Sequence, residues 1–214
     1  MNAIRSLATG LAAATLLAPT GAAAAPASAT TRPVLTIPPP APPTVIGSST
    51  VVRTDNGVSA RLEANGLPAG HVVTLWIVVA NAPEECEAGL PGVTPCGPAD
   101  HPAGRGQMSV HHGSGRVVGD DGTASCGAHL SEGDTSRVAF AGEPGLLDAR
   151  TAEIVLVLKD HGPKRPGRVA DQLRTFGGGC VPLDLPPTLT LRPEMAGQPG
   201  DHPCSEFAFS PHVA

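Results

Sequence analysis

The stretch VVTLWIVVA, residues 72–80, decides the fold, because nearly all of its side chains are apolar and many are β-branched. Such a run is typical of a central strand that other layers cover on both faces. Residues 154–158, IVLVL, have the same character and predict a second central strand. In residues 58–64, apolar and polar side chains alternate with a period of two, which predicts a strand with one buried and one solvated face.

Turn-forming residues divide the rest of the chain into short segments. The chain has 26 glycines and 24 prolines, which are the least favourable residues in helix interiors. The segment GLPAG, residues 66–70, predicts one turn, and Asp121-Gly122 predicts a hairpin between residues 116–119 and 123–131. Weaker strand patterns occupy residues 107–112, 188–191 and 206–210.

These segments together predict an all-β fold, namely a single Greek-key β-sandwich of roughly seven or eight strands. One short helix is expected after Pro166, where apolar residues recur on one helical face before the glycines 177–179. The sandwich domain is expected over residues 50–214. Residues 30–49 contain six prolines and are expected to form an extended Pro-rich linker.

The first 29 residues predict a secretory signal peptide. The signal combines a basic residue, an apolar run and a tract of small residues, at Arg5, 7–17 and 21–29. Cleavage sites are available after Ala25 and after Ala29, and the second is favoured because a proline follows the first. The signal predicts a secreted, extracellular protein with no membrane insertion in its mature form.

Charge and motifs exclude several classes of function. The formal net charge of −5 lacks the basic footprint that nucleic-acid binding requires. The sequence contains no Gly-x-Ser-x-Gly, His-Glu-x-x-His, Walker or dinucleotide-binding motif. We therefore predict no catalytic residue, no cofactor and no metal ligand, and we expect the protein not to be an enzyme.

The five cysteines suggest two disulfides and one free thiol. Cys86 and Cys96 bracket a loop rich in glycine and proline, and Cys180 and Cys204 flank the last connection of the chain. Sequence alone does not fix the connectivity. Cys126 is left over, and its phase in the strand predicts a buried thiol, with a reactive or dimer-forming thiol as the alternative.

Several short motifs occur together in an order that resembles one family. They are Asn56-Gly57-Val58-Ser59-Ala60, Gly66-Leu67-Pro68-Ala69-Gly70-His71, Trp76-Ile77-Val78-Val79, Asn81-Ala82-Pro83-Glu84-Glu85-Cys86, His161-Gly162-Pro163 and Gly178-Gly179-Cys180. Over residues 56–180 the chain resembles a family of uncharacterised secreted bacterial proteins. The resemblance implies secretion and assigns no activity, and Cys126 departs from the strand pattern of that family.

The order of the predicted elements is also loosely similar to the Greek-key sandwich of copper/zinc superoxide dismutases and chordin-type domains. Those enzymes place a His-x-His pair on the strand after the Gly-Leu-x-x-Gly-His turn, whereas this chain has Val72 to Trp76 there. The similarity therefore implies a topology and no copper site of that kind.

Two functions from different classes are consistent with the sequence. The first is a secreted, non-enzymatic binding or structural module for an unknown extracellular ligand or protein, with its surface on the loop 83–106 and the turn 160–168. The second is a divergent metal-binding or redox domain that uses histidines, at His71, His111, His129 and His161. Three Asp-His dipeptides, at residues 100–101, 160–161 and 201–202, are expected to have turn-capping aspartates rather than to be catalytic pairs.

Overall fold

The computed structural model of the protein describes residues 25–37 and 42–214. The strands are β1 (Ser28–Thr36), β2 (Val45–Thr54), β3 (Gly57–Ala64), β4 (His71–Ala80), β5 (Met108–Val117), β6 (Ala124–Ser131), β7 (Glu153–Pro163) and β8 (Ser205–His212). Two helices of four residues each, α1 (Val169–Gln172) and α2 (Pro193–Ala196), and a 3-10 turn at Pro83–Glu85 complete the elements. The predicted all-β fold is confirmed, and α1 lies in the segment where a short helix is expected.

The eight strands form one antiparallel sheet in the order β5-β4-β7-β8-β1-β2-β3-β6. The sheet curls until its edge strands β5 and β6 lie side by side, where the Gly127 N–H donates to Ser114 Oγ at 3.1 Å. Gly113 permits this approach, because a Cβ there would lie 3.2 Å from the Ala128 Cβ. No helix within residues 25–37 and 42–214 is long and apolar enough to cross a membrane.

Strand β3 has the predicted half-buried character, with buried apolar side chains alternating with exposed Ser59, Arg61 and Glu63. Strands β4 and β7, in contrast, are buried along nearly their whole length. The two strands are neighbours in the sheet, and Trp76 lies opposite Val157. The centre of the sheet is therefore apolar on both faces, as the sequence predicts.

The two faces of β4 belong to two different apolar cores. Leu75, Ile77 and Val79 point into the curled sheet, where they join residues from the other strands. Trp76 and Val78 point outward into a second core. That outer core is covered by two long connections, residues 132–152 and 164–204, whose apolar side chains include Phe140, Phe176, Leu189, Leu191 and Met195.

Most of the segment expected to be a linker is instead part of the sheet. Strand β1 pairs with β2 over most of its length and with β8 through Leu35 and Thr36. The prolines predict a linker, but all of them except Pro33 follow the strand, and Val34 is fully buried in the inner core.

The predicted signal peptide falls mostly outside the described residues, which begin at Ala25. The favoured cleavage position after Ala29 falls inside β1, because Ser28 and Ala29 already pair with β2. The other cleavage position, after Ala25, lies outside the strand and leaves β1 whole.

Two local predictions are wrong for reasons of long-range pairing. The turn at Asp121-Gly122 forms, with a Gly122 N–H bond to the Gly119 carbonyl, but β5 and β6 pair with β4 and β3 rather than with each other. Residues 188–191 form no strand and contribute only an isolated bridge between Leu191 and Phe140. In both cases the local sequence pattern is present, but the hydrogen-bonding partner of the segment comes from a distant part of the chain.

We predict that Val34→Ala lowers the free energy of unfolding by about 2 kcal/mol, because it removes buried methyl groups from the inner core. Val34 is 0% exposed, whereas Val45 on the neighbouring strand is 61% exposed. Urea denaturation measures the difference, with Val45→Ala as the matched control that leaves stability within about 0.5 kcal/mol of the wild type. Equal, small effects of both substitutions would show that residues 30–36 act as a spacer after all.

Candidate functional site

A cavity of about 280 Å³ lies between the outward face of the sheet and the connections that cover it. Strands β4, β5, β7 and β8 supply its floor, and Phe140, Phe176 and Leu189 belong to its roof. Four of the five aromatic residues of the chain line this cavity, at Trp76, Phe140, Phe176 and Phe209. The few aromatic side chains of this protein are therefore concentrated at one place.

Strand β7 runs along the cavity and gives it two polar ends. Because side chains alternate across a strand, Glu153, Val155, Val157 and Lys159 share the face that lines the cavity. Lys159 follows Glu153 by six positions along the strand, which corresponds to about 20 Å. The cavity wall is thus apolar in the middle, with a carboxyl group towards one end and an amine towards the other.

Lys159 is 5% exposed, and its Nζ lies 4.2 Å from the centre of the Phe176 ring. Burial lowers the pKa of Lys159, and the nearby carboxylate of Glu206 partly opposes that change. Within the described part of the chain, the amine has no ion pair and no hydrogen bond. Its main electrostatic contact is the cation–π contact with the Phe176 ring. A buried amine of this kind has unused capacity to bind an anion.

Glu153 is 0% exposed and has protein partners. Its carboxyl group accepts hydrogen bonds from the Thr94 hydroxyl and, at 3.3 Å, from the Cys96 N–H. Burial raises the pKa of Glu153 above the ordinary value for a glutamic acid, although these two bonds act in the opposite direction. The residue joins the loop 83–106 to the sheet at this end of the cavity.

A chain of hydrogen bonds fixes Trp76 in the cavity floor. The indole Nε1–H donates to Thr74 Oγ1 at 2.7 Å, and Thr74 Oγ1 lies 2.7 Å from His161 Nε2. His161 Nδ1 lies 2.9 Å from the Gly178 carbonyl. A neutral ring with its proton on Nδ1 donates to this carbonyl and accepts from the Thr74 hydroxyl, so every donor in the chain has an acceptor. Burial lowers the pKa of His161 to about 4, and this keeps the ring neutral at ordinary pH.

The loop 83–106, the first of the two binding surfaces expected from the sequence, contributes Thr94, Cys96 and His101 to the cavity wall. The Cys86–Cys96 disulfide crosses this loop. The Asp100 carboxylate organises it by accepting bonds from backbone N–H groups at Glu87, Ala88 and Gly97 and from Arg105 Nε. Burial alone would raise the pKa of Asp100, but these bonds lower it well below its usual range. The other expected surface, residues 160–168, contributes no described residue to the wall.

His101 and Glu143 connect the loop 83–106 to the connection that carries Phe140. His101 Nε2 lies 2.6 Å from Glu143 Oε1, and Glu143 Oε2 accepts a bond from the Val110 N–H on β5 at 3.1 Å. The imidazole also meets the Phe140 ring edge-on, with 5.3 Å between centroids. This contact ties the two parts of the roof to the sheet.

In the Asp-His dipeptides, each aspartate binds a group other than the histidine next to it. Asp100 organises its loop, Asp160 lies 2.9 Å from His71 and accepts from the Gly162 N–H, and Asp201 pairs with Arg165. The structure therefore uses these aspartates in turns and ion pairs.

The four histidines of the metal-binding hypothesis have separate partners. His71 binds Asp160, His111 contacts Ser109, His129 contacts Ser59, and His161 binds Thr74 and Gly178. Within residues 25–37 and 42–214, the only three ligand groups that lie within 4.8 Å of one another are His161, Cys180 and Cys204. Both of these cysteines belong to one disulfide, so their sulfurs are not free thiolates.

The cysteines form two disulfides, Cys86–Cys96 and Cys180–Cys204. Such bonds are typical of proteins that fold in an oxidising environment. Cys126 is unpaired among the described residues and is buried, and burial raises the pKa of its thiol. The neutral thiol packs in the inner core.

No protein-family model, curated protein or solved structure matches the chain. The resemblance to secreted bacterial proteins therefore stays a prediction, and these comparisons assign no role to the residues of the cavity. Sequence reasoning missed Glu153 and Lys159 as site residues. Their position in the sequence could have identified them, because both flank the apolar run 154–158 and share one strand face with Val155 and Val157.

We predict that His161 makes stability depend on pH between about 6.5 and about 4, the ordinary and folded values of its pKa. In this window the unfolded chain binds a proton before the folded one does, so protonation favours unfolding and stability falls as the pH falls. Comparing wild type with His161→Gln by urea denaturation should show the wild-type advantage shrinking by at most about 3 kcal/mol over the window.

The control for this experiment is His129→Gln, since His129 lies exposed on β6. His111 and His212 are also buried with the pKa lowered to about 4, so the pH dependence of His161→Gln is reduced rather than abolished. A wild-type advantage over His161→Gln that stays constant across the window would contradict the assignment of a neutral, buried His161.

Proposed function

We propose that the protein is a secreted, non-enzymatic binding protein that holds a small, largely apolar ligand in the cavity between the sheet and its cover. The observation that carries this proposal is the cavity itself, about 280 Å³ in volume and lined by most of the aromatic residues of the chain. Small-molecule sites are concave, mostly apolar and equipped with a few polar groups, and they begin at about 300 Å³.

The apolar lining of the cavity supports this proposal. Protein interiors are close-packed, and spaces larger than a water molecule are few. A concave space of about 280 Å³ lined by Trp76, Val157 and Phe176 offers apolar surface that a ligand can still bury, and that burial favours binding.

Placement outside the cell is supported by the predicted signal peptide and by the two disulfides. The net charge of −5 supports a partner other than nucleic acid. The rigid sheet supports a binding role, because a ligand can be held by loops that a stable scaffold positions.

We propose further that the curled sheet is a flattened Greek-key sandwich, with β5-β4-β7-β8 as one layer and β1-β2-β3-β6 as the other. The short β1–β8 pairing, at Leu35 and Thr36, would then join the layers at one side. Strand β6 pairs with β3 after β4 and β5 have been added elsewhere, and this non-sequential order supports a Greek key, although residues 118–123 make the return short.

Ligand binding can be followed through Trp76, the only tryptophan of a chain that has no tyrosine. We predict that the neutral apolar dye N-phenyl-naphthylamine binds in the cavity and quenches Trp76 fluorescence by energy transfer. Val157→Phe should weaken dye binding at least about tenfold, because the larger ring fills space in the cavity. A fluorescence titration measures both effects.

Val45→Phe is the matched control, because Val45 is exposed on β2 and lies outside the cavity wall. Circular dichroism establishes that each variant is folded, and Val157→Ala, which enlarges the cavity, should keep the dye bound. Absence of any saturable change in Trp76 fluorescence, or equal dye binding by Val157→Phe and Val45→Phe, would refute a ligand site in this cavity.

A further inference from the structure

The cavity wall contains one buried charged side chain, Lys159, that has no hydrogen-bond partner among the described residues. The Lys159 side chain is 5% exposed and its amine lies over the Phe176 ring, and an ammonium group with little access to water is costly unless an anion or strong acceptors surround it. The other buried polar groups of the cavity, Glu153 and the Thr74–His161 pair, have protein partners. Among these buried groups, the Lys159 amine is therefore the one that can still accept a partner from a ligand.

The charged groups of the cavity differ between its two ends. Glu206 lines the same end and its carboxylate acts on Lys159 through space, but it is exposed and forms no ion pair with the amine among the described residues. Glu153 lies about 20 Å away along β7, at the other end of the apolar wall. An anionic group can therefore pair with the buried amine, whereas the Glu206 carboxylate at the same end is exposed to solvent, which weakens its attraction for a cationic group.

We propose that the ligand of the cavity is a small amphipathic carboxylic acid, bound with its carboxylate on the Lys159 amine and its apolar body along Val157 and Val155 towards Glu153. This inference rests on the proposed binding function and specifies its ligand class. One cation in an apolar wall selects one negative charge, because a second charge would remain unpaired in a low-dielectric site. A carboxylate would make the short, charge-assisted hydrogen bonds that the amine lacks.

The aromatic residues around the amine favour the same ligand. Trp76 and Phe176 meet edge to face with centroids 4.9 Å apart, and Phe140 continues the cluster at 5.5 Å from Phe176. These rings exclude water from the apolar wall and so strengthen an ion pair formed beside them. They also give the apolar body of the acid a surface on which to pack.

The test compares three ligands of equal chain length and different charge on the full protein: decanoate, decanol and decylammonium. Dissociation constants come from titrations of Trp76 fluorescence. We expect decanoate to bind at least about tenfold more tightly than decanol, and decylammonium to bind more weakly than decanol. Equal affinities for decanoate and decanol would overturn the inference.

The two lysines of the chain supply a matched pair of variants. Lys159→Met removes the buried charge and should abolish the preference for decanoate, whereas Lys164→Met, at an exposed position, should retain it. Lys159→Arg keeps a cation and should restore at least part of the preference. A preference that survives intact in folded Lys159→Met would contradict the role assigned to the amine.

Glu206→Gln gives a second and independent readout that does not depend on the folding of Lys159→Met. At a pH low enough to keep Lys159 protonated in the variant, removing this carboxylate removes repulsion of the bound acid, so decanoate should bind several-fold more tightly while decanol is unchanged. Weaker decanoate binding in Glu206→Gln would contradict the proposed position of the carboxylate.

The outcomes separate the two proposals. If decanol and the neutral dye bind but decanoate has no advantage, the cavity binds ligands and only the inference about their charge fails. If none of the three decyl compounds and no dye changes Trp76 fluorescence, the proposed binding function itself fails.

Discussion

The structure depends on one constraint: the paired central strands β4 and β7 are apolar on both of their faces. The inner face is buried when the sheet curls around Leu75, Ile77 and Leu156. The outer face, with Trp76 and Val157, cannot remain in water without losing about 1.5–3 kcal/mol for each large apolar side chain. A second covering layer is therefore required, and two long connections provide it. Because that layer is built from loops rich in glycine and proline, with only short helices, it does not fill all the space above the strands, and the cavity remains.

The polar groups inside this outer layer divide into those that hold the structure and one that is left over. The Thr74–His161 pair orients Trp76 and anchors the glycine-rich segment at Gly178, and Glu153 anchors the loop that carries Thr94. Each of these groups has a hydrogen-bond partner, and a buried polar network is favourable when all of its members are hydrogen-bonded. Lys159 is the exception, and it lies on a wall of the cavity. An amine without a partner on a cavity wall is a group that a ligand could satisfy.

The features of this fold that depend on local patterns could be predicted from the sequence, and those that depend on contacts across the chain could not. The runs 72–80 and 154–158 and the alternation in β3 identify strands because burial imposes a period on neighbouring residues. Strand β1 is not evident in the sequence, because the prolines after Thr36 dominate the composition of the segment and Val34, its fully buried side chain, gives no periodic signal. The turn at Asp121-Gly122 was visible, but its flanking strands pair with β3 and β4, a choice that no short window contains. The cavity is still less visible, since Phe140, Phe176 and Lys159 meet only after two connections fold over the sheet.

The most direct test of this account is a crystal structure of the protein grown in the presence of decanoate. The account predicts one molecule in the cavity, with a carboxylate oxygen about 3 Å from Lys159 Nζ and the hydrocarbon chain lying over Val157. A cavity closed by movement of Phe140 and Phe176 into the space, or an acid bound elsewhere with Lys159 untouched, would contradict it.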